Sequence, residues 1–323
     1  MVQQHNEEED IYTPLDRLLN SAETPLAQRF RALFTLKSLG GPRAIEIIAK
    51  GFDGESALLG HELAYCLGQL KDTTALPILT KVLRDQNEHI MAAEAMGAIG
   101  DSAALEVLRE HLNHPEAAIR ETCEIAVDKI EFDNSEEGKL QAANQYPCID
   151  PAPASHSPLV SAAHSAALPS SSTPASIPEL EKILLDTKLP LFERYRAMFA
   201  LRNDGSREAV LALARGFEDS SALFRHEIAF VFGQLSSPHS VPSLISVLQR
   251  PQEEDMVRHE AAEALGGIAT DECLPILKEF AKREDVPRVV RESCEVALDM
   301  YEYERSNEFV PLPSAAPATT VEA

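Results

Sequence analysis

Apolar residues recur along most of the chain at the period of an α-helix, and alternation of the kind that marks a strand is missing. In LGHELAYCLGQL (59–70), Leu63, Ala64, Leu67 and Leu70 fall at i, i+1, i+4 and i+7, one apolar stripe on a helix. Short breaks containing Gly, Asp, Ser or Pro follow each such segment, as at Gly40-Gly41-Pro42. Pro77, Pro242 and Pro275 sit just after breaks, where a first-turn proline costs no hydrogen bond because its missing N–H would be unpaired anyway. Helical segments recur about every thirty residues, and this pattern predicts an all-α protein of stacked helix pairs, an α-solenoid of HEAT type.

The pattern is itself duplicated. QRFRALFTLK (28–37) matches ERYRAMFALR (193–202), and KGFDGESALLGHELAYCLGQL (50–70) matches RGFEDSSALFRHEIAFVFGQL (215–235), both at an offset of 165 residues. RETCEIAVD (120–128) later matches RESCEVALD (291–299). The expected organisation is two pseudo-symmetric halves of about four helix pairs each, at 15–132 and 179–306. Residues 133–178, rich in Pro, Ser and Ala, read as a flexible linker that lets the halves face each other. An acidic N-terminus (1–14) and a tail (307–323) are expected to be disordered.

The duplication slips once. Val82-Leu83 matches Val247-Leu248 at 165, but AAEAMGAIG (92–100) matches AAEALGGIA (261–269) at 169. Pairing Met91 with Met256 and Ala92 with Ala261 leaves Val257-Arg258-His259-Glu260 without counterparts. Four residues are close to one helical turn, so the downstream apolar face keeps its register.

Composition narrows the function classes. The 323 residues carry a formal net charge of −23, which disfavours nucleic-acid binding and favours a cationic partner. No apolar run approaches the roughly 20 residues of a membrane span. Cys66, Cys123, Cys148, Cys273 and Cys294 show no CxxC spacing, a usage that fits a reducing compartment, and the cytoplasm is the expected location. Because the halves pair within one chain, a monomer is expected.

Three adjacent His-Glu pairs are the candidate chemistry: His61-Glu62, His226-Glu227 and His259-Glu260. The first two are equivalent in the two halves. A Glu near a helix start complements the helix dipole, but that needs no His, and recurrence favours a metal site instead. Imidazole with carboxylate suits iron, manganese or zinc. None of the pairs has a second His four residues on, which excludes the HExxH of zinc proteases. Adjacent residues diverge on a helix, so ligands have to be gathered from several helices. The four unmatched residues contain the pair a fourth site would need, with His89, Glu88 and Glu94 as candidate substitutes. His156 and His164, in the linker, are not expected to bind metal.

GHELAYCLGQL, RHEIAFVFGQL and MVRHEAAEALGGI resemble the deoxyhypusine hydroxylase family, and the resemblance spans nearly all of the chain outside the linker and tails. It implies two Fe(2+) ions held between the halves by four His-Glu pairs, and dioxygen as co-substrate. It also implies translation initiation factor 5A bearing deoxyhypusine as the protein substrate. Carried over, His61, Glu62, His226, Glu227, His259 and Glu260 would be the catalytic and metal-binding residues. The absent fourth pair implies weak or mononuclear iron binding and little hydroxylation. Four residues are twelve nucleotides, so an in-frame error at an exon boundary would also produce this lesion, and that explanation is preferred to a true loss. The alternative function is a non-catalytic HEAT-repeat scaffold that binds a basic protein.

Overall fold

In the computed structural model, residues 10–84, 89–139, 146–155 and 175–306 are described, and all regular structure among them is helical. The first half contains α1 (Tyr12–Asn20), α2 (Leu26–Leu39), α3 (Gly41–Lys50), α4 (Ala57–Gln69), α5 (Leu76–Arg84), α6 (His89–Ile99), α7 (Leu105–Glu110), α8 (Ala117–Asp133) and the short α9 (Glu136–Lys139). The second contains α10 (Ile177–Leu185), α11 (Leu191–Asp204), α12 (Arg207–Ala214), α13 (Ala222–Leu235), α14 (Val241–Gln249), α15 (Asp255–Ile268), α16 (Cys273–Phe280) and α17 (Arg288–Arg305). Helices pair as outer and inner layers, four pairs to a half, with α2, α4, α6, α8 and α11, α13, α15, α17 inside. Helix α1 begins within the stretch expected to be disordered, because Leu15 and Leu19 are buried against its partner. Residues 1–9 and 307–323 lie outside the described residues.

Small residues set how closely the inner helices approach. A Cβ added to Gly68 would lie 2.7 Å from the Cα of Ala95, and one on Gly97 would lie 3.0 Å from that of Ala126. The second half repeats both crossings, Gly233 against Ala264 and Gly266 against Ala297. An arginine on an inner helix, buried at Arg194 and Arg258 and half-buried at Arg29, ties it to the end of its outer partner. Arg29 donates to the Leu19 carbonyl, Arg194 to Leu184 and Arg258 to Leu248, at 2.7, 3.0 and 3.1 Å. Each bond satisfies a carbonyl that the ending helix leaves without a partner.

The halves meet at two seams, α17 against α2 and α4, and α8 against α11 and α13. Ser56, the N-cap of α4, donates its hydroxyl to Glu292 at 2.8 Å, and Ser221, the N-cap of α13, donates to Glu121 at 2.6 Å. Each half also lends the other one core residue: Val296 is buried in the first core and Ile125 in the second. Reciprocal exchange of this kind makes folding of the halves interdependent.

The expectation of a flexible linker over 133–178 does not describe residues 146–155, which form a packed strap. Asp150 receives two hydrogen bonds from the buried Arg202 guanidinium, at 2.7 and 2.6 Å, and the same guanidinium stacks over Tyr146. Gln69, from the first half, both donates to and accepts from the Ile149 backbone. Ala152 and Ala154 are buried in the second core. Low hydropathy hid this strap, because its order comes from side chains far away in sequence. Cys66, Cys123, Cys273 and Cys294 are buried free thiols. No helix among the described residues is long and apolar enough to cross a membrane.

Candidate metal centre

Each of the three His-Glu pairs sits one turn inside its helix. His61, His226 and His259 are each the fifth residue of α4, α13 and α15. Ser56 and Ser221 fix the first two helix starts by accepting from the N–H groups of Leu59 and Phe224. With the starts set and the helices held close by glycine, the three imidazoles converge from both halves. Their centroids form a triangle, 4.8 Å from His61 to His259 and 5.5 Å from His226 to each of the others.

Glu260 joins them. One nitrogen or oxygen from each of His61, His226, His259 and Glu260 lies within 4.8 Å of all the others, in a cluster that is buried but for His61. Glu62 and Glu227 stand outside this group of four, both buried beside it. His61 Nε2 lies 3.8 Å from Glu62, and His226 Nε2 lies 3.5 Å from Glu260, an ion-pair contact too long for a formed hydrogen bond. Glu263, one turn after His259, was not singled out by sequence, although its i, i+4 spacing is the signal that would have found it. It contacts His259 Nδ1 at 3.4 Å and accepts from the Ser293 hydroxyl at 3.0 Å.

Burial shapes the charge here. Desolvation, with repulsion from His226, holds His61 down at about 3, and desolvation with repulsion from His61 and His226 holds His259 well below its usual value. Both imidazoles are therefore neutral near pH 7 and able to offer a lone pair. Desolvation also lowers His226, but the neighbouring Glu260 outweighs it and the net direction is upward. Burial, with Glu260 nearby, pushes Glu62 up to about 8, and burial lifts Glu227 and Glu263 well above the carboxylate range. Both ring nitrogens of His226 and Oε1 of Glu227 are buried without a hydrogen-bond partner. Groups left so cost about 1–3 kcal/mol each, and a bound cation is a partner that would satisfy them.

The place of a fourth pair can be read from helix register. Gly68 meets Ala95 as Gly233 meets Ala264, and Gly97 meets Ala126 as Gly266 meets Ala297. In that register Ile90 and Met91 stand where α15 carries His259 and Glu260. Met91 is buried, and Ile90 packs against both cores. Helix α6 has 11 residues against 14 in α15. Its counterpart of Glu263 is Glu94, raised to about 6 by burial and near enough to His226 and Glu260 to feel both charges. Of the candidate substitutes, Glu94 therefore reaches the centre. His89 begins α6, its side chain outside the described residues, as are Glu88, His156 and His164.

Comparison with known proteins follows the same lines. A family model described as HEAT repeats matches residues 53–128 and 208–299. Deoxyhypusine hydroxylase of Cryptococcus neoformans is 52% identical over 337 residues, covering 95% of this chain and 89% of that protein. The Drosophila melanogaster protein of that name is 51% identical over 296 residues, covering 90% and 92%. A structure of human deoxyhypusine hydroxylase in complex with glycerol superposes with a TM-score of 0.82 at 48% identity, covering 91% of this chain and 96% of that one. This chain belongs to the deoxyhypusine hydroxylases, a family of HEAT-repeat enzymes.

Proposed function

We propose that the protein acts in hypusine formation, hydroxylating the deoxyhypusine side chain of translation initiation factor 5A with iron and dioxygen, and that it does so from an altered centre. The observation that carries this reading is the buried convergence of His61, His226, His259 and Glu260 from both halves. Three imidazoles and one carboxylate are a donor set suited to Fe(2+). Bound there, iron would supply the activation of dioxygen that no protein side chain provides. His61 and His259 are held neutral as donors, while Glu260 balances the metal charge. Glu62 and Glu227 are buried carboxyls around the centre, and Glu94 is a half-buried one. A cationic substrate arm entering beside them exchanges their protons for an ion pair, which orients the arm and compensates its desolvation.

The altered feature is the apolar Ile90-Met91 in the register of a fourth pair. It favours one iron per chain instead of two, with slow turnover. The free cysteines support a cytoplasmic setting.

Purified protein reconstituted anaerobically with Fe(2+) and freed of excess metal should retain about one iron per chain. Aerobic incubation with reductant and the deoxyhypusine-bearing factor should add one oxygen to the substrate, read by intact mass. Glu260→Gln, which keeps shape but removes the charge, should lower iron affinity at least tenfold, about 1.4 kcal/mol, with unchanged circular dichroism. Protein that retains no iron and leaves the substrate mass unaltered is a scaffold, and the enzymatic reading falls.

A further inference from the structure

The pseudo-two-fold relates the two seams, and among the described residues only one of them is covered. At the α8–α11 seam the strap lies over the inner helices. Ile149 and Pro151 share a pocket with Ile125, Lys129 and Tyr195, Asp150 meets Arg202, and the Ser155 N–H donates to the Arg196 carbonyl. The internal repeat gives the counterparts at the α17–α2 seam as Val296, Met300, Phe30, Lys37 and Arg31, in the same order of roles. There the structure has an open groove, floored by Phe30, Phe34, Val296, Met300 and Tyr303.

Exposure separates the twins. Phe199, in the covered seam, is 0% exposed, whereas its counterpart Phe34 is 38% exposed and nearby Tyr303 is 48% exposed. Large aromatics left open side by side mark an interaction surface. Lys37 extends over the Phe34 and Tyr65 rings at 5.4 and 5.3 Å. Among the described residues it meets no carboxylate at ion-pair distance, while Arg202 has Asp150.

We infer that the α2–α17 groove docks an extended, proline-containing segment of a partner protein that carries a carboxylate for Lys37. The strap, Tyr-Pro-Cys-Ile-Asp-Pro-Ala-Pro-Ala-Ser, is the template for that chemistry. Its prolines hold it extended without N–H groups that would need partners, its alanines fit against packed helices, and its single acid meets the cation. One strap contact is not reproduced. The Arg31 carbonyl already accepts from the Thr35 hydroxyl at 2.7 Å, where the covered seam has Ala200. Docking therefore rests on the aromatic floor and on Lys37. The inference is independent of the catalytic reading, since the groove is a face of the fold and uses none of the metal-centre residues.

The test uses the full chain and a fluorescein-labelled peptide of residues 146–155 with Cys148→Ser, read by anisotropy. Saturable binding is expected, weakened at least fivefold by Tyr303→Ala, by Lys37→Gln, and by Asp150→Asn in the peptide. Lys37→Gln, at a half-exposed position, removes only the charge and keeps the test valid if Tyr303→Ala misfolds by circular dichroism. Failure to saturate below about 1 mM overturns the proposal. So does binding that ignores both groove substitutions, which would mean exchange with the strap in its own seam. Binding that appears only after truncation at Ser306 would assign the groove to residues 307–323 of this chain and overturn the partner assignment.

Discussion

The seams differ at single residues. In the open seam Arg31 holds Asp299 through two hydrogen bonds, at 2.9 and 2.7 Å. In the covered seam the corresponding Arg196 turns to Glu137 and Glu193 and stacks over Phe132, so it does not pair with Asp128. Burial, helped by the nearby Glu124, then pushes Asp128 up to about 6. The folded protein thus binds this proton more tightly than the unfolded chain does. Its stability contribution is complete below the ordinary Asp value and is lost as the pH rises through about 6. Asp128→Asn should therefore stabilise at pH 7.5 by roughly 1 kcal/mol, a figure already reduced for solvent screening. The gain should shrink toward zero as the pH falls toward 4, measured by paired urea titrations.

Among the inner helices, α15 bears the closest approach. A Cβ on Gly266 would lie 2.6 Å from both the Cα and the carbonyl oxygen of Ala297, atoms of a helix backbone that cannot swing aside. Gly266→Ala should force α15 from α17, cost about 1–3 kcal/mol and displace His259 and Glu260 enough to weaken iron binding. Gly233→Ala is the control. Its Cβ would stand 3.5 Å from Ala264, an ordinary contact, and alanine favours the helix by up to about 1 kcal/mol. Chemical denaturation should therefore find Gly266→Ala less stable and Gly233→Ala no worse than the parent. The Gly-Ala spacing was present in the sequence, but nothing in a periodic pattern says which glycine touches a neighbour.

At the scale of the whole molecule, the candidate centre is assembled only by the closure of two halves, and Ile90 and Met91 stand in α6 at the register where α15 carries His259 and Glu260. The turn by which α15 exceeds α6 also carries a tie, for Arg258 anchors α15 to α14 through the Leu248 carbonyl. Inserting Val-Arg-His-Glu between Met91 and Ala92 lengthens α6 by one turn and brings a His-Glu pair into the register that α15 shows. Iron should rise from about one to about two per chain, and hydroxylation of the substrate protein should rise with it. Metal analysis beside intact-mass turnover reads both. An unchanged iron count would show that the apolar pair is not what limits the centre.

The duplicated helical pattern, the His-Glu pairs and the four-residue slip were all legible in the sequence, because local periodicity and internal comparison need no neighbours. The identities of three imidazoles were legible for the same reason. Their convergence with Glu260, and the half-buried carboxyls of Glu94 and Glu263 around them, were decided by tertiary structure, since helices far apart in sequence have to close before any of these atoms meet. The strap is the clearest case. Residues 146–155 lack the apolar content to order themselves, and they are fixed only because Gln69 and Arg202 stand on either side once the halves have closed. The slip itself sits between the two regimes: sequence located it, and helix register set Ile90 and Met91 opposite His259 and Glu260.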